Sequence, residues 1–254
     1  MEYLLNQLKA RQLKNLEGHQ CDVTDVDYKR IEPIIALLKR LSEIEHSIYE
    51  VYDMHRRDYI LKSDAQKKVF GLTNEDDRVD TEYIYKHIHP NDLEFVLDTD
   101  EKVYRFYSKL TPSEKKDFKL VYDFRIKNSE GIYMRFMHQS VVLETGVNGK
   151  AWLILVITDL LMEKARDEKP QRRLINTKTG KQHLFTHDEQ EMILTKRETE
   201  IISFIARGYD SKSIAENLFI SVNTVNNHRQ NILRKTRSDN TTKAMLYCKR
   251  IGLI

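Results

Sequence analysis

The sequence predicts an α+β domain with a mainly antiparallel sheet, followed by an all-α module of four helices. Three observations carry this. Short β-branched and aromatic runs cluster between about residues 47 and 159, grouped as two strands, short helices and three strands, with no alternation of βα units. From Leu194 onward the apolar spacing is that of helices alone. Charge divides along the same line: residues 192–254 hold 11 Lys/Arg against 5 Asp/Glu, a net +6, so the remainder of a chain of net +3 carries −3.

Taken in order, residues 1–40 read as a helical segment. Leu4, Leu5 and Leu8 line one face and Gly18 is a stop. A second stripe, Ile31, Ile34, Ile35, Leu38 and Leu41, follows, with Pro33 expected in its first turn. The α+β domain is expected over residues 41–165. "SIYEVYD" and "DYIL" are two strands joined by a hairpin. "SDAQKKVFG" and "DTEYIYKHI" are helical. "HPNDLEFVLDTDEKVYRFYSKL" is a longer helix with His89 or a neighbour as cap, Pro90 at its first position and Asp92 in its first turn.

Three strands then follow. "FKLVYDFRIK" alternates, with Leu120, Tyr122, Phe124 and Ile126 on one face and Lys119, Asp123, Arg125 and Lys127 mostly on the other. "NSEG" and "TGVNGK" are turns around the strand "IYMRFMHQSVVLE". "AWLILVITD" is apolar on both faces and is therefore expected to be covered on both sides. Residues 166–190, highly charged and containing Pro170, read as a linker with a small hairpin around "NTKTGKQ".

Residues 191–254 form the helical module. Its first helix opens on a capping box, Thr195 with Glu198, buries Leu194, Ile201, Ile202 and Ile205, and stops at Gly208. A short second helix is capped by Asp210 or Ser211 and turns Ile214, Ala215 and Leu218 inward. Ser221 caps the third, and "TTKAMLYCKRIG" is the fourth. A short helix, a tight turn and a third helix with a polar outer face make a helix-turn-helix. On the third helix Val222, Val225, Ile232 and Leu233 are expected inside, with Asn223, Asn226, Asn227, Gln230 and Arg234 outside. Amides are mediocre helix residues, but one placed over adenine can accept from N6 and donate to N7, a pairing that supplies about 1–3 kcal/mol of base discrimination.

At this density of motif the resemblance is specific. "LTKRETEIISFIARGYDSKSIAENLFISVNTVNNHRQNILRKT", with the closing "GLI", resembles the helix-turn-helix of LuxR-type (NarL/FixJ-type) transcription regulators across all four helices. The resemblance implies a recognition helix from about Val222 to Lys235. Asn226, Asn227 and Gln230 would face base edges. Lys212, Ser221, Asn223, Thr224, Arg234 and Lys235 would lie near phosphates, which position without specifying sequence. It also implies homodimerisation through the fourth helix. The family commonly carries Lys where this chain has Asn226, which exchanges a charge for a bidentate amide. Residues 47–159 resemble, more loosely, a PAS domain, through "VYDMHRRDYILKSDAQKKVFGL", "HIHPNDL" and "GKAWLILVITDLLMEKA". That resemblance implies ligand sensing or association. Tyr122, Phe124, Met134, Phe136 and Trp152 are the candidates to line a ligand pocket, each more economically read as core.

No cofactor is expected. His87 and His89 form an H-x-H pair without a third ligand nearby, so no metal is expected, and no cysteine lies within the PAS-like region. The two cysteines, Cys21 and Cys248, make no disulfide framework, and the longest apolar run, Trp152–Ile157, is far shorter than the ~20 residues of a membrane helix. The charged opening stretch lacks a signal-peptide pattern, so a cytoplasmic location without membrane attachment is expected. The expected role is a sequence-specific, double-stranded-DNA-binding transcriptional regulator, homodimeric, with an unknown small ligand or an association role for its first domain and RNA polymerase as a further partner. The alternatives are a sigma-factor-like subunit, a phosphorylated response regulator using Asp76 or Asp77, and an enzyme or metal-binding activity in the first domain. The eight glycines form neither GxGxxG nor GxxxxGK[ST], and no GxSxG or HExxH occurs, so no enzyme is expected.

Overall fold

Helix α1 (Asp25–Ile44) starts at Thr24, whose backbone amide and hydroxyl both donate to the Asp27 carboxylate, at 3.0 and 2.8 Å. The structure, a computed structural model, describes residues 19–45, 47–70, 72, 81–162, 169–183, 185 and 194–254. The expected helix bearing Leu4, Leu5, Leu8 and Gly18, and the Asp76–Asp77 loop, lie outside those residues. Pro33 is in the interior of α1 and not in its first turn, because the capping box sets the start eight residues earlier. Ile31 and Leu38 of α1 are buried with Val51, Leu61, Trp152 and Leu153, so the helix covers one face of the sheet.

The chain divides into two units, residues 1–176 and 177–254. In the first, β1 (Ile48–Asp53) and β2 (Asp58–Lys62) form the expected hairpin. Helices α2 (Ala65–Phe70), α3 (Thr81–His87), α4 (Pro90–Tyr107) and α5 (Pro112–Lys115) follow, then β3 (Phe118–Lys127), β4 (Tyr133–Thr145) and β5 (Ala151–Met162). The first six strands stand in the order β2-β1-β5-β4-β3-β6, and the pairings among them are antiparallel. The predicted strand and helix succession is therefore present.

Two local readings change. Residues 172–176, expected as linker, are strand β6 (Arg172–Asn176), paired with β3 and burying Leu174 and Ile175. Three of its five residues are polar, which hid it. Its Arg172 donates to Asp98 of α4 at 2.6 Å and lies over the Phe95 ring. Second, Arg125, grouped by alternation with Lys119, Asp123 and Lys127, is buried. β6 pairs with β3 only as far as Tyr122, which leaves the Arg125 amide unpaired along that edge. Asp92 in the first turn of α4 accepts from that amide at 2.9 Å and from the guanidinium at 2.9 and 2.7 Å. A buried pair of this kind is costly to break from one side alone.

In the second unit a turn over 177–179 precedes the two-residue β7 (Gln182–His183). Helices α6 (Lys196–Ala206), α7 (Ser211–Leu218), α8 (Val222–Thr236) and α9 (Thr241–Arg250) then pack around Ile201, Ile202, Ile214, Val225, Ile232, Ala244 and Cys248. Burying such side chains contributes about 1.5–3 kcal/mol each, which is what holds so small a helical unit together. Among the described residues no helix is long and apolar enough to cross a membrane.

Candidate functional site

Helices α7 and α8 are joined by Phe219, Ile220 and Ser221. Phe219 adopts the left-handed conformation (φ 54°) and ends α7. The Ile220 amide returns to the Ala215 carbonyl at 3.0 Å. Ser221 then caps α8, its Oγ accepting from the Thr224 amide at 3.0 Å. Asp210 does the same for α7 through Ser213, and Asn240 for α9 through Lys243. With every helix start fixed by a side chain, the angle between α7 and α8 is set by the sequence as well as by the core.

Along α8, Val225, Ile232, Lys235 and Thr236 are buried. Asn223, Asn226, Asn227, Gln230 and Arg234 are exposed, and at 3.6 residues per turn they share an arc of roughly 100°. The side chains of Asn223, Asn227 and Gln230 make no hydrogen bond among the described residues. Asn226 differs: its Oδ1 accepts from Ser211 Oγ at 3.0 Å, across to the start of α7. Arg229, beside it, reaches Ser211 Oγ at 3.4 Å and Thr241 Oγ1 at 3.2 Å, tying α8 to both α7 and α9. Lys212 is exposed at the start of α7, and Thr224 is partly exposed with its hydroxyl 2.8 Å from that of Ser221.

Two expectations for this helix are corrected. Val222, expected inward, is 41% exposed, because the first residue of α8 projects beyond the reach of the core. Lys235, expected at a phosphate, is buried, and its Nζ donates to Glu198 Oε2 at 2.7 Å. Glu198 Oε2 also accepts from the Thr195 amide at 2.7 Å. Burial opposes ionisation of Glu198, but the bonds from Lys235 and Thr195 prevail and hold its carboxyl below the usual range. The capping box of α6 is thus also the anchor for the end of α8. His228 is half-buried, which suits packing better than catalysis.

The first unit contains a cavity of about 740 Å³ between the sheet and α2–α4. Tyr122 and Phe124 line it, stacked at 5.4 Å, with His138 4.6 Å from Tyr122. Burial pushes His138 down to about 4, so it is neutral at pH 7. Burial also lifts two lining carboxyls, Glu50 and Asp100, each to about 7. Met134, Phe136 and Trp152 are not in the lining. Phe136 packs on Phe70, 5.5 Å between ring centres. Trp152 points to the opposite face, 5.1 Å from Tyr28 of α1. Parity along β5 would place it with Ile154 and Val156, which do line the cavity. Glu144 pairs with Leu153 but Thr145 with Ala151, so Trp152 is an inserted residue, and this bulge reverses its side. His87 Nδ1 lies 2.8 Å from the Tyr83 carbonyl, and His89 caps α4 by accepting from the Asn91 amide.

Comparison with known proteins agrees with the geometry of the second unit. Residues 192–248 match the family described as bacterial regulatory proteins, luxR family. The chain is 44% identical over 72 residues to the oxygen regulatory protein NreC of Staphylococcus carnosus, covering 27% of this chain and 33% of that one. It is 46% identical over 61 residues to the transcriptional regulatory protein LiaR of Bacillus subtilis, covering 24% and 29%. The chain therefore spans about a third of the length of the curated relatives it matches. Among solved structures, a phage VqmA–DPO complex aligns over 89% of both chains at 16% identity with a TM-score of 0.34, too distant to carry an argument. The C-terminal module is a LuxR-family helix-turn-helix domain.

Proposed function

We propose that this chain is a cytoplasmic, homodimeric, sequence-specific DNA-binding transcriptional regulator whose first domain senses a small molecule. The observation that carries the reading is the outer face of α8. Asn223, Asn227 and Gln230 stand exposed on a firmly capped helix, without a partner among the described residues, in the module that matches the luxR family. Polar side chains in excess of what a helix needs, presented together, are suited to base edges in a major groove. In this role Asn226, Asn227 and Gln230 read bases, while Lys212, Ser221, Asn223, Thr224 and Arg234 meet phosphates. Lys235 is left out of the set, because its charge is engaged with Glu198. Helix α9 supplies the association surface between two copies. RNA polymerase is a partner on the promoter, and no catalytic step belongs to the role.

The test is selection of duplexes from random DNA by the purified full chain, followed by fluorescence anisotropy on the enriched site at several salt concentrations. A two-fold symmetric enriched site, bound by a dimer with affinity falling as salt rises, is the expected result. Binding only when RNA polymerase is added would instead favour a sigma-like subunit. No enrichment under either condition would refute DNA recognition by α8.

A further inference from the structure

The cavity of the first unit has a specific chemistry. Its walls combine aliphatic side chains with rings, among them Tyr59 from β2, Tyr85 from α3, and Tyr122 with Phe124 from β3. Among them the Asp100 carboxyl enters from α4. Its one hydrogen bond among the described residues is a long one, 3.4 Å, from the Tyr85 hydroxyl. Among the described residues no cation acts on it: burial drives its carboxyl up, opposed by the bond from Tyr85. Tyr59, Tyr85, Asp100 and Tyr122 line the same cavity, and the Asp100 charge acts on the Tyr122 hydroxyl.

Most of the other ionisable lining groups have partners. Glu50 on β1 accepts from Gln66 Nε2 at 2.5 Å and has Lys62 nearby. Glu101 on α4 is paired with Arg105. Lys115 on α5 donates to the Leu110 and Gly149 carbonyls at 2.6 and 3.1 Å. His19 meets the Ala151 carbonyl at 2.7 Å. Arg57 in the β1–β2 turn, Lys150 before β5 and the neutral His138 complete the set. A carboxyl without a cation among the described residues, beside the Tyr85 hydroxyl in a cavity also lined by Tyr122 and Phe124, suits a desolvated ammonium ion, which gains charge pairing on one side and aromatic rings on the other.

We propose that the cavity takes a small aryl-alkyl amine, its ammonium group on Asp100 beside Tyr85 and Tyr122 and its apolar part against Phe124 and Ile154. This names the ligand class for the sensing role proposed above and rests on that role for its first domain only. The volume, about 740 Å³, lies within the range of roughly 300–1,000 Å³ typical of small-molecule sites.

The test is isothermal titration calorimetry of the full chain, without DNA, against three probes of one size: 2-phenylethylamine, 2-phenylethanol and 3-phenylpropionate. The amine is expected to bind at least about tenfold more tightly than the alcohol, with the carboxylate weakest. Asp100→Asn, nearly isosteric, should remove that preference while leaving alcohol binding within about twofold. A second readout needs no variant. Seating an ammonium on Asp100 favours its ionised form, so at pH 7 up to about half a proton should be released per amine bound, measured by repeating the titration in buffers of different ionisation enthalpy. Equal or tighter binding of the alcohol or the carboxylate, no proton release, or an unchanged preference in Asp100→Asn would each overturn the proposal. If none of the probes binds while the chain still selects DNA, the ligand class falls and the DNA-binding reading stands.

Discussion

Lys235 separates a structural role from a DNA-contacting one within a single side chain. In Lys235→Met the four-carbon stem is approximately preserved and the ammonium removed. The Lys235 Nζ to Glu198 Oε2 distance is 2.7 Å, with side chains 11% and 4% exposed. At an effective dielectric of 20 the gross attraction at that separation is about 6 kcal/mol. Desolvation offsets much of it, and stranding one partner of a buried pair typically costs about 3–5 kcal/mol. Glu198 retains its bond from the Thr195 amide, which places the expectation near the lower end, about 3 kcal/mol. For a helical unit of this size that corresponds to a fall in melting temperature of roughly 12–24 °C. The assay is urea denaturation followed by hydrogen exchange of peptides within 196–236, which reports on this unit separately from the first. The double variant Glu198→Gln/Lys235→Met should recover most of the loss, since it leaves no buried charge. In anisotropy titrations the slope of log K against log salt should be unchanged in Lys235→Met, whereas Arg234→Ala should reduce it by about 0.9. A Lys235→Met protein of undiminished stability with a reduced salt slope would refute the anchoring role and restore Lys235 to the phosphate contacts.

Three further outcomes follow from the geometry. Glu198 has a depressed carboxyl, so its contribution is fully present above the unfolded value of about 4.3 and is lost as pH falls through the lower folded value; urea midpoints of the second unit at pH 7, 5 and 3.5 should fall less steeply in Glu198→Gln, and parallel falls would contradict this. Asp92→Asn weakens a carboxylate that makes three bonds to Arg125, and should destabilise the first unit by about 3 kcal/mol as followed by Trp152 fluorescence in urea; a loss under about 1 kcal/mol would show that the pair is dispensable. Asn226→Ala should relax selection at one adenine-containing position of the half-site by about 1–3 kcal/mol, and an unchanged selected site would mean that Asn226 serves only Ser211.

The amino-acid sequence by itself determined the helical module, because its information is local. Caps at Thr195, Asp210 and Ser221, the apolar spacing of Ile201, Ile202, Ile214 and Val225, and the amide face of α8 are all set by residues within a few positions of one another. The same holds for the strand runs of the first domain, where alternation and turn residues lie side by side. What only the tertiary structure decided depends on partners distant along the chain. Lys235 is buried because Glu198, 37 residues earlier, waits beneath it. Arg125 is buried because β6 stops short and Asp92, 33 residues earlier, takes its edge. Trp152 leaves the cavity because the step between Glu144 and Thr145 on the neighbouring strand forces a bulge. Asp100, unremarkable in a charged helix, becomes a buried carboxyl without a cation among the described residues only when α3, α4, β2 and β3 converge. A side chain's periodicity says which way it points; whether that direction meets water, a counter-ion or a cavity is fixed by elements that no local pattern names.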